Sequence, residues 1–222
     1  MPYRYRGVFI GEGNMDVYEA IGRRKTIRDF AQRAVDRESI KKILEAGMAA
    51  PTNDHLRNWE YIVVEEKEER RKIIEGVLNP LTKDDAERMI NESGLNKPLQ
   101  KEMYLDAIPK QYSMIINAGV LLLPCYYEPG DLLHPRNISS LNCFASIWCS
   151  IENILIAAAA EGLFGVTRIP SMEEVVRARN ILSIPEKYEI PCFLALGYPA
   201  GDAERLAQKK VNTGEKIHYG RW

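Results

Sequence analysis

An α+β fold with one layered core is the architecture that this sequence predicts, and three observations carry the prediction. Apolar residues at helical spacing and short β-branched or aromatic runs both recur along the 222 residues. They follow one another without regular strand–helix–strand alternation, which argues against a parallel doubly wound sheet. No internal repeat, low-complexity tract or linker divides the chain, so 1–222 reads as a single domain.

The elements follow in order. Residues 15–28 read as a first helix, with Val17, Ile21 and Arg24 on one face. Asp36 reads as the N-cap of a second helix, with Glu38 in its first turn. In that helix Ile40, Ile43, Leu44 and Met48 keep helical spacing, and it stops before Pro51 because a residue preceding proline avoids helical geometry. The polar loop PTNDHLRN leads into a strand, WEYIVVE. Residues 66–76 read as a charged surface helix. Residues 79–110 are polar and broken by Pro80, Pro98 and Pro109, so they read as short helices or a mobile excursion. A strand over 119–127 contains Pro124, which points to a sheet edge or a bulge. A long apolar helix at 141–161 ends at Gly162, followed by a helix at 172–180 and a last strand, CFLALGY.

Composition narrows the function class. Hydrophobic residues are 45% and charged residues 27% of the chain, ordinary for a globular protein. A formal net charge of -1 argues against nucleic acid as the main partner. Cys125, Cys143, Cys149 and Cys192 form no CxxC pair and lie among apolar residues, which predicts buried free thiols in a reducing compartment, the cytoplasm. His55, His134 and His218 are far apart, so no metal motif is visible. The polar N-terminus does not read as a signal peptide. Residues 143–160 are strongly apolar, but Glu152 and Asn153 interrupt them at the point where a charge is most expensive in lipid. A buried helix, in a core or between subunits, is the better reading.

Four segments could carry chemistry. Arg23-Arg24-Lys25-Thr26-Ile27-Arg28 places four cations and a hydroxyl together, a donor set that suits a phosphate dianion. A solvated helix end would look the same. The loop Ala50–Trp59 is rich in hydrogen-bonding groups that could read the polar edge of a heterocycle, or could stabilise its own turn. Gly162 and Gly165 could admit a flat ligand close to the backbone, or could simply end a helix. Lys209-Lys210 is a late basic pair.

Taken in order, these segments resemble the FMN-dependent nitroreductase family. The resemblance rests on the basic cluster followed by Asp29-Phe30, the Ala50-Pro51-Thr52 loop ending at Trp59, the Glu152-Asn153 helix ending in Gly162-Leu163, and Leu196-Gly197-Tyr198-Pro199 followed by the paired lysines. It spans roughly 17–65 and 113–222, and its most specific part is the pairing of IGRRKTIRDF with APTNDHLRNW.

The resemblance implies a nitroreductase-like fold: a central, mainly antiparallel sheet packed by helices in an intertwined homodimer. It implies FMN as cofactor and NADH or NADPH as reductant. Arg24, Lys25, Thr26 and Arg28 fall on the positions that hold the FMN phosphate and the ring edge, with Lys25 the candidate for the N1–O2 edge. Pro51, Thr52, Asn53 and His55 match the flavin-contacting loop supplied by the other subunit. Thr167, Arg168 and Ile169 lie near the segment that faces the ring, and Lys209 and Lys210 join the phosphate site. The sequence departs from the family at His55 (usually Asn), Arg57 (usually Gln) and Asn58 (usually Pro). The region 79–110 matches no part of the pattern and would form a lid.

The implied activity is NAD(P)H-dependent reduction of small acceptors, such as nitroaromatics or quinones, by ping-pong chemistry at the flavin. No protein general acid or nucleophile is identified; His55 is either a proton donor or an ordinary loop histidine. Reductive dehalogenation, flavin cleavage and flavin binding without turnover are the alternatives.

Overall fold

The computed structural model describes residues 15–203 and 210–222. Helix α1 (Val17–Arg23) starts at Asp16, whose carboxylate accepts from the Tyr18 amide at 2.6 Å. The helix predicted for 15–28 stops at Arg23, and the chain continues extended. The reason is competition for backbone groups. The Ile27 amide donates to the Gly165 carbonyl at 3.3 Å, and the Ala31 amide donates to the Tyr198 carbonyl at 2.9 Å. Ile27 and Phe30 are buried by this arrangement, which a continued helix would forfeit.

Helix α2 (Arg37–Met48) is capped as predicted: the Asp36 carboxylate accepts from the Ser39 amide at 2.8 Å. These bonds also hold the Asp36 carboxyl below the usual carboxylate range. Strand β1 (Trp59–Val64) leads into helix α3 (Lys67–Val77). The 79–110 stretch is two helices, α4 (Lys83–Glu92) and α5 (Pro98–Lys110). A reciprocal Thr82–Asp85 capping box opens the first, and Pro98 opens the second at a position where no amide is needed.

Helix α6 (Ser113–Asn117) precedes strand β2 (Val120–Tyr127). Then come helix α7 (Asn142–Ala160), strand β3 (Phe164–Arg168), helix α8 (Met172–Leu182), the short strand β4 (Tyr188–Glu189) and strand β5 (Phe193–Gly197). The sheet order is β1-β2-β5-β3, every pairing is antiparallel, and β4 pairs with β2.

Two expectations are corrected here. Pro124 lies in β2, which is interior rather than an edge. It is tolerated because β5 pairs only with Val120–Leu122 and β4 only with Tyr126–Tyr127, leaving one flank of β2 open around Pro124. The Gly162–Pro170 stretch, for which the sequence leaves ligand approach and a helix end as the two readings, contains strand β3. The cap part holds: Gly162 has φ +74° just past α7. Gly165 instead sits in the strand, where a Cβ would come within 2.4 Å of the Leu196 side chain and 2.9 Å of the Ala195 carbonyl. Its close approach is to its own sheet, not to a ligand.

Helices cover both faces of the sheet. Leu121, Leu123 and Cys125 of β2 face Ile73 and Ile74 of α3, Ile115 of α6 and Ala178 of α8. The alternate residues Val120, Leu122 and Tyr126 face Ile40 and Ile43 of α2 and Ile147, Ile151 and Ile154 of α7. A sheet buried on both faces explains why β2 and β5 are near-continuous apolar runs. Buried Arg70 of α3 closes the seam between the layers. Its guanidinium donates to the carbonyls of Val64, Glu65, Ile116 and Ala118.

Residues Ile138–Ala160 are long and apolar enough to span a bilayer by composition. In this fold the helix packs one face on α2 and the sheet. Asn153 donates to the Ala46 carbonyl near the end of α2 at 3.0 Å, which accounts for a polar residue in the apolar run. Its other face, including Cys149 and Glu152, is exposed. All four cysteines are free, but only Cys125 and Cys192 are buried, each thiol pushed up to about 12 by desolvation.

Candidate active site

The basic segment is carried on extended chain rather than on a helix end. Thr26 bridges Gly165 in parallel, so residues 24–28 lie along the edge strand β3. Arg24 reaches Glu152 of α7 at 3.3 Å, with both side chains substantially exposed. Lys25 and Thr26 are exposed, and among the described residues neither side chain has a hydrogen-bond or ion-pair partner. Arg28 is different. It pairs with Asp106 of α5 at 3.2 Å, and the two side chains are only 14% and 13% exposed. Asp106 also pairs with Lys110 at 2.5 Å, and Lys110 with Asp29 at 2.7 Å. Burial lowers the Lys110 pKa, but its bonds to Asp106 and Asp29 outweigh that and hold it above the ordinary lysine value. The helix pair of 83–110 is thus tied to the basic segment through buried charge.

The next three predicted residues end strand β3. Thr167 pairs with Leu194 and Arg168 with Phe193 in the sheet register. The Arg168 side chain is fully engaged: it donates to both carboxylate oxygens of Glu174 and, at 3.1 Å, to Gln111. Burial raises the Glu174 pKa, but the Arg168 bonds and the Ser171 amide outweigh it and hold the carboxyl below its ordinary value. What this stretch offers a ligand is therefore the exposed Ile169 side chain and half-exposed Thr167.

The loop residues gather elsewhere on the same helix. The Asn53 amide donates to Ser146 Oγ at 3.1 Å, and Asn53 Nδ2 lies 3.7 Å from Cys143 Sγ. Arg57 Nε donates to the Met48 carbonyl at 3.1 Å, closing the end of α2. Asp54, His55 and Arg57 have φ of +48°, +56° and +46°, a region that non-glycine residues rarely adopt. Such strain concentrates at binding sites. Pro51 and His55 are exposed, and Thr52 and Asn53 are half-buried. Ser146 and Glu152 stand about 9 Å apart along the α7 axis at the ordinary helical rise. Within one protomer the loop and the basic segment therefore flank α7 without an ion pair or hydrogen bond joining them among the described residues. Lys210 is exposed, and Lys209 lies outside the described residues.

Sequence reasoning missed Asp106, Lys110 and Glu174 as partners of the cations. The Asp106–Lys110 pair did carry a signal, since residues four apart on a helix meet on one face. Glu174 carried another: it stands three residues after Ser171, the spacing of a capping box.

Comparison with known proteins identifies the family and the fold. The pattern of the nitroreductase family matches residues 21–198. A protein of Methanothermobacter thermautotrophicus, provisionally assigned as an NADH dehydrogenase/NAD(P)H nitroreductase, is 30% identical over 94% of this chain and 88% of its own length. The iodotyrosine deiodinase of Nematostella vectensis is 25% identical over 92% of this chain and 76% of its own. Among solved structures, an oxidised iodotyrosine deiodinase bound to FMN and 3-iodo-L-tyrosine superposes with a TM-score of 0.68 at 18% identity, covering 93% of this chain and all of the other.

Proposed function

The chain belongs to the nitroreductase family, and from that premise we propose that it binds FMN between two copies of itself and uses NADH or NADPH to reduce a small organic acceptor such as a nitroaromatic or a quinone. The observation that carries the reading is the extended segment 24–28 along β3, with Lys25 and Thr26 exposed beside Arg24.

The donor set fits the phosphate of FMN. A monoester phosphate carries about -1.5 to -2 charges at neutral pH. An ammonium without a partner among the described residues, a part-exposed guanidinium paired with Glu152 and a hydroxyl on one short segment can balance and bond it. In this reading Arg24, Lys25, Thr26, Arg28, Lys209 and Lys210 hold the phosphate and the polar ring edge. Arg28 does so while sharing its charge with Asp106. Ile169 and the Thr167–Arg168 backbone meet the ring, since the Arg168 side chain is engaged by Glu174. Pro51, Thr52, Asn53 and His55 approach from the second copy, because within one protomer they turn to the first turns of α7. Bound FMN supplies the hydride and electron transfer. The protein's part is to neutralise the phosphate, fix the ring and keep water from it.

The dimer reading is supported by apolar side chains that lack cover. Val17, Tyr18 and Ile21 of α1 are exposed, as are Ile217, Tyr219 and Trp222 of the C-terminal segment. The α4–α5 pair, joined to Arg28 through Asp106, is the proposed lid. Free thiols, one of them the exposed Cys149, suit the reducing cytoplasm.

The test is an absorption spectrum of the purified protein, followed by anaerobic turnover. A yellow protein that oxidises NADH or NADPH when given a quinone or nitroarene meets the proposal. A colourless protein whose melting temperature does not rise with added FMN refutes it. A flavin-bound protein without turnover would be a carrier or sensor instead. The deiodinase relatives favour a second reading, reductive dehalogenation on the same scaffold, which predicts halide release from a halogenated phenol under the same conditions.

A further inference from the structure

A concavity that includes Ile169 of the candidate flavin site, but none of residues 24–28, has the composition of a ligand site. Strand β2 ends at Tyr127, and two side chains from its α7-facing side, Tyr126 and Glu128, line a cavity of about 570 Å3. That size lies in the range of small-molecule sites. Helix α7 contributes Phe144 and Trp148 to the walls, and Ile169 contributes from the end of β3. The aromatic rings form a chain, with centroids 6.1 Å apart for Tyr126–Phe144 and 6.2 Å for Phe144–Trp148.

Two of the lining residues also carry buried polar atoms that have no partner among the described residues. Tyr126 is 1% exposed and its hydroxyl has no partner. Glu128 is 9% exposed; its Oε1 accepts from the Gly130 amide at 3.0 Å, but its Oε2 is buried and has no partner. Three buried side-chain atoms lack partners among the described residues, and two of them belong to this cavity. The third, Arg179 Nε, sits on a guanidinium already bonded to Glu189 and to the Tyr188 carbonyl. Buried polar groups in native proteins are nearly always paired, so such a concentration asks for a partner.

Charge decides what that partner is. Glu189 also lines the cavity, and Arg179 satisfies it at 2.8 Å. Asp131 lies on the rim and is held by His134 and two backbone amides. Glu128 alone of the three carboxylates meets no cation among the described residues. Burial first, then the carboxylates of Glu128 and Glu189 and the Cys143 thiol, push the Tyr126 phenol pKa upward. The cavity therefore selects for a cation that donates hydrogen bonds and carries an apolar body.

We propose that this cavity binds a small organic cation, a primary amine on an aromatic or aliphatic body, with its ammonium between Glu128 Oε2 and the Tyr126 hydroxyl. An ammonium brings three donors and no acceptor, which matches a carboxylate oxygen and a hydroxyl lone pair. The lining residues Phe144 and Trp148 are aromatic, and aromatic rings attract the same charge over their faces. Binding needs no flavin. The site therefore stands independently of the proposed function.

The experiment is calorimetric titration of the purified protein with 2-phenylethylamine and with its neutral isostere 2-phenylethanol. The amine is expected to bind, and the alcohol to bind at least about tenfold more weakly, since a charge-assisted hydrogen bond is worth about 1.5–3 kcal/mol. Glu128→Gln is expected to remove that preference. Tyr126→Phe, which deletes only the hydroxyl and keeps the ring packing, is expected to weaken the amine several-fold. Absence of amine binding at millimolar concentration overturns the proposal. So does equal affinity for amine and alcohol, or unchanged amine affinity in both folded variants. A colourless protein that binds the amine but whose melting temperature does not rise with added FMN would retain this site and refute the FMN reading, so the two failures are distinguishable.

Discussion

Replacing Arg70 by methionine keeps most of the side-chain volume and removes every hydrogen bond its guanidinium makes. In the native fold this group is 4% exposed and serves four carbonyls from three parts of the chain. Two of them, Ile116 and Ala118, lie at the end of α6 and the approach to β2; Val64 ends β1. These three residues are themselves at most 4% exposed, so water cannot replace the lost donors without opening the seam. Each buried acceptor left unpaired costs about 1–3 kcal/mol, so three of them sum to roughly 3–9 kcal/mol, and partial relaxation favours the lower half. The offsetting gain is that a cation whose pKa burial already depresses no longer has to be kept dry. A net loss of about 3–5 kcal/mol is expected, a large share of a typical total of about 5–15 kcal/mol. The assay is urea unfolding followed by circular dichroism, run at two protein concentrations because a dimer's stability depends on concentration. A loss below about 1 kcal/mol, outside the usual penalty for an unpaired buried group, would refute the assignment of Arg70 as the tie between layers.

Three further outcomes are expected. Lys25→Ala should weaken FMN binding by about tenfold or more, as loss of a charge-assisted bond does, whereas Arg71→Ala, which removes only a surface pair with Glu68, should leave it unchanged; equal effects in flavin titrations would remove Lys25 from the flavin site. Asp106→Asn should lower the melting temperature, because Arg28 and Lys110 lose a shared partner, yet tighten FMN several-fold by freeing Arg28; weaker FMN binding in the folded variant would show that Arg28 does not reach the phosphate. Glu174 has a lowered pKa in the fold, so its contribution is present above the ordinary carboxylate value and is lost as pH falls through the folded value. Glu174→Gln should therefore be less stable than the parent at neutral pH and converge with it in acid, and a constant gap across that range in thermal melts would contradict the Arg168 pairing.

The parts of this fold that were legible in the sequence are those governed by local rules. Asp36 announces α2 because a capping carboxylate acts on its own next turn, and Gly162 announces the end of α7 for a similar reason. The misreadings all come from distant partners. Residues 24–28 follow a helix without a strong breaker, but the Ile27 amide is claimed by Gly165 of β3, far along the chain. Phe164–Arg168 looks like a turn because of its glycine, and only the Leu196 side chain lying over Gly165 explains that glycine. Pro124 signals an edge that is real but local, a gap between two pairing partners. The cations of the candidate site were visible; the carboxylates that neutralise Arg28 and Arg168 were not, because Asp106 sits in a region without recognisable pattern. Tyr126 and Glu128 gave no signal at all, since an unpaired atom is a property of surroundings and not of sequence.

The bridge between Thr26 and Gly165 also bears on solubility. Strand β3 is an outer rim of the sheet, and an outer rim with free amides and carbonyls is a template on which another chain can crystallise into fibres. The basic segment lies across that rim and blocks it with charge and backbone together. The proposed cofactor capture and protection from self-association thus fall to the same few residues. A truncation that removes the chain up to Arg28 would surrender both at once, leaving a protein that precipitates for reasons unrelated to the loss of its ligand.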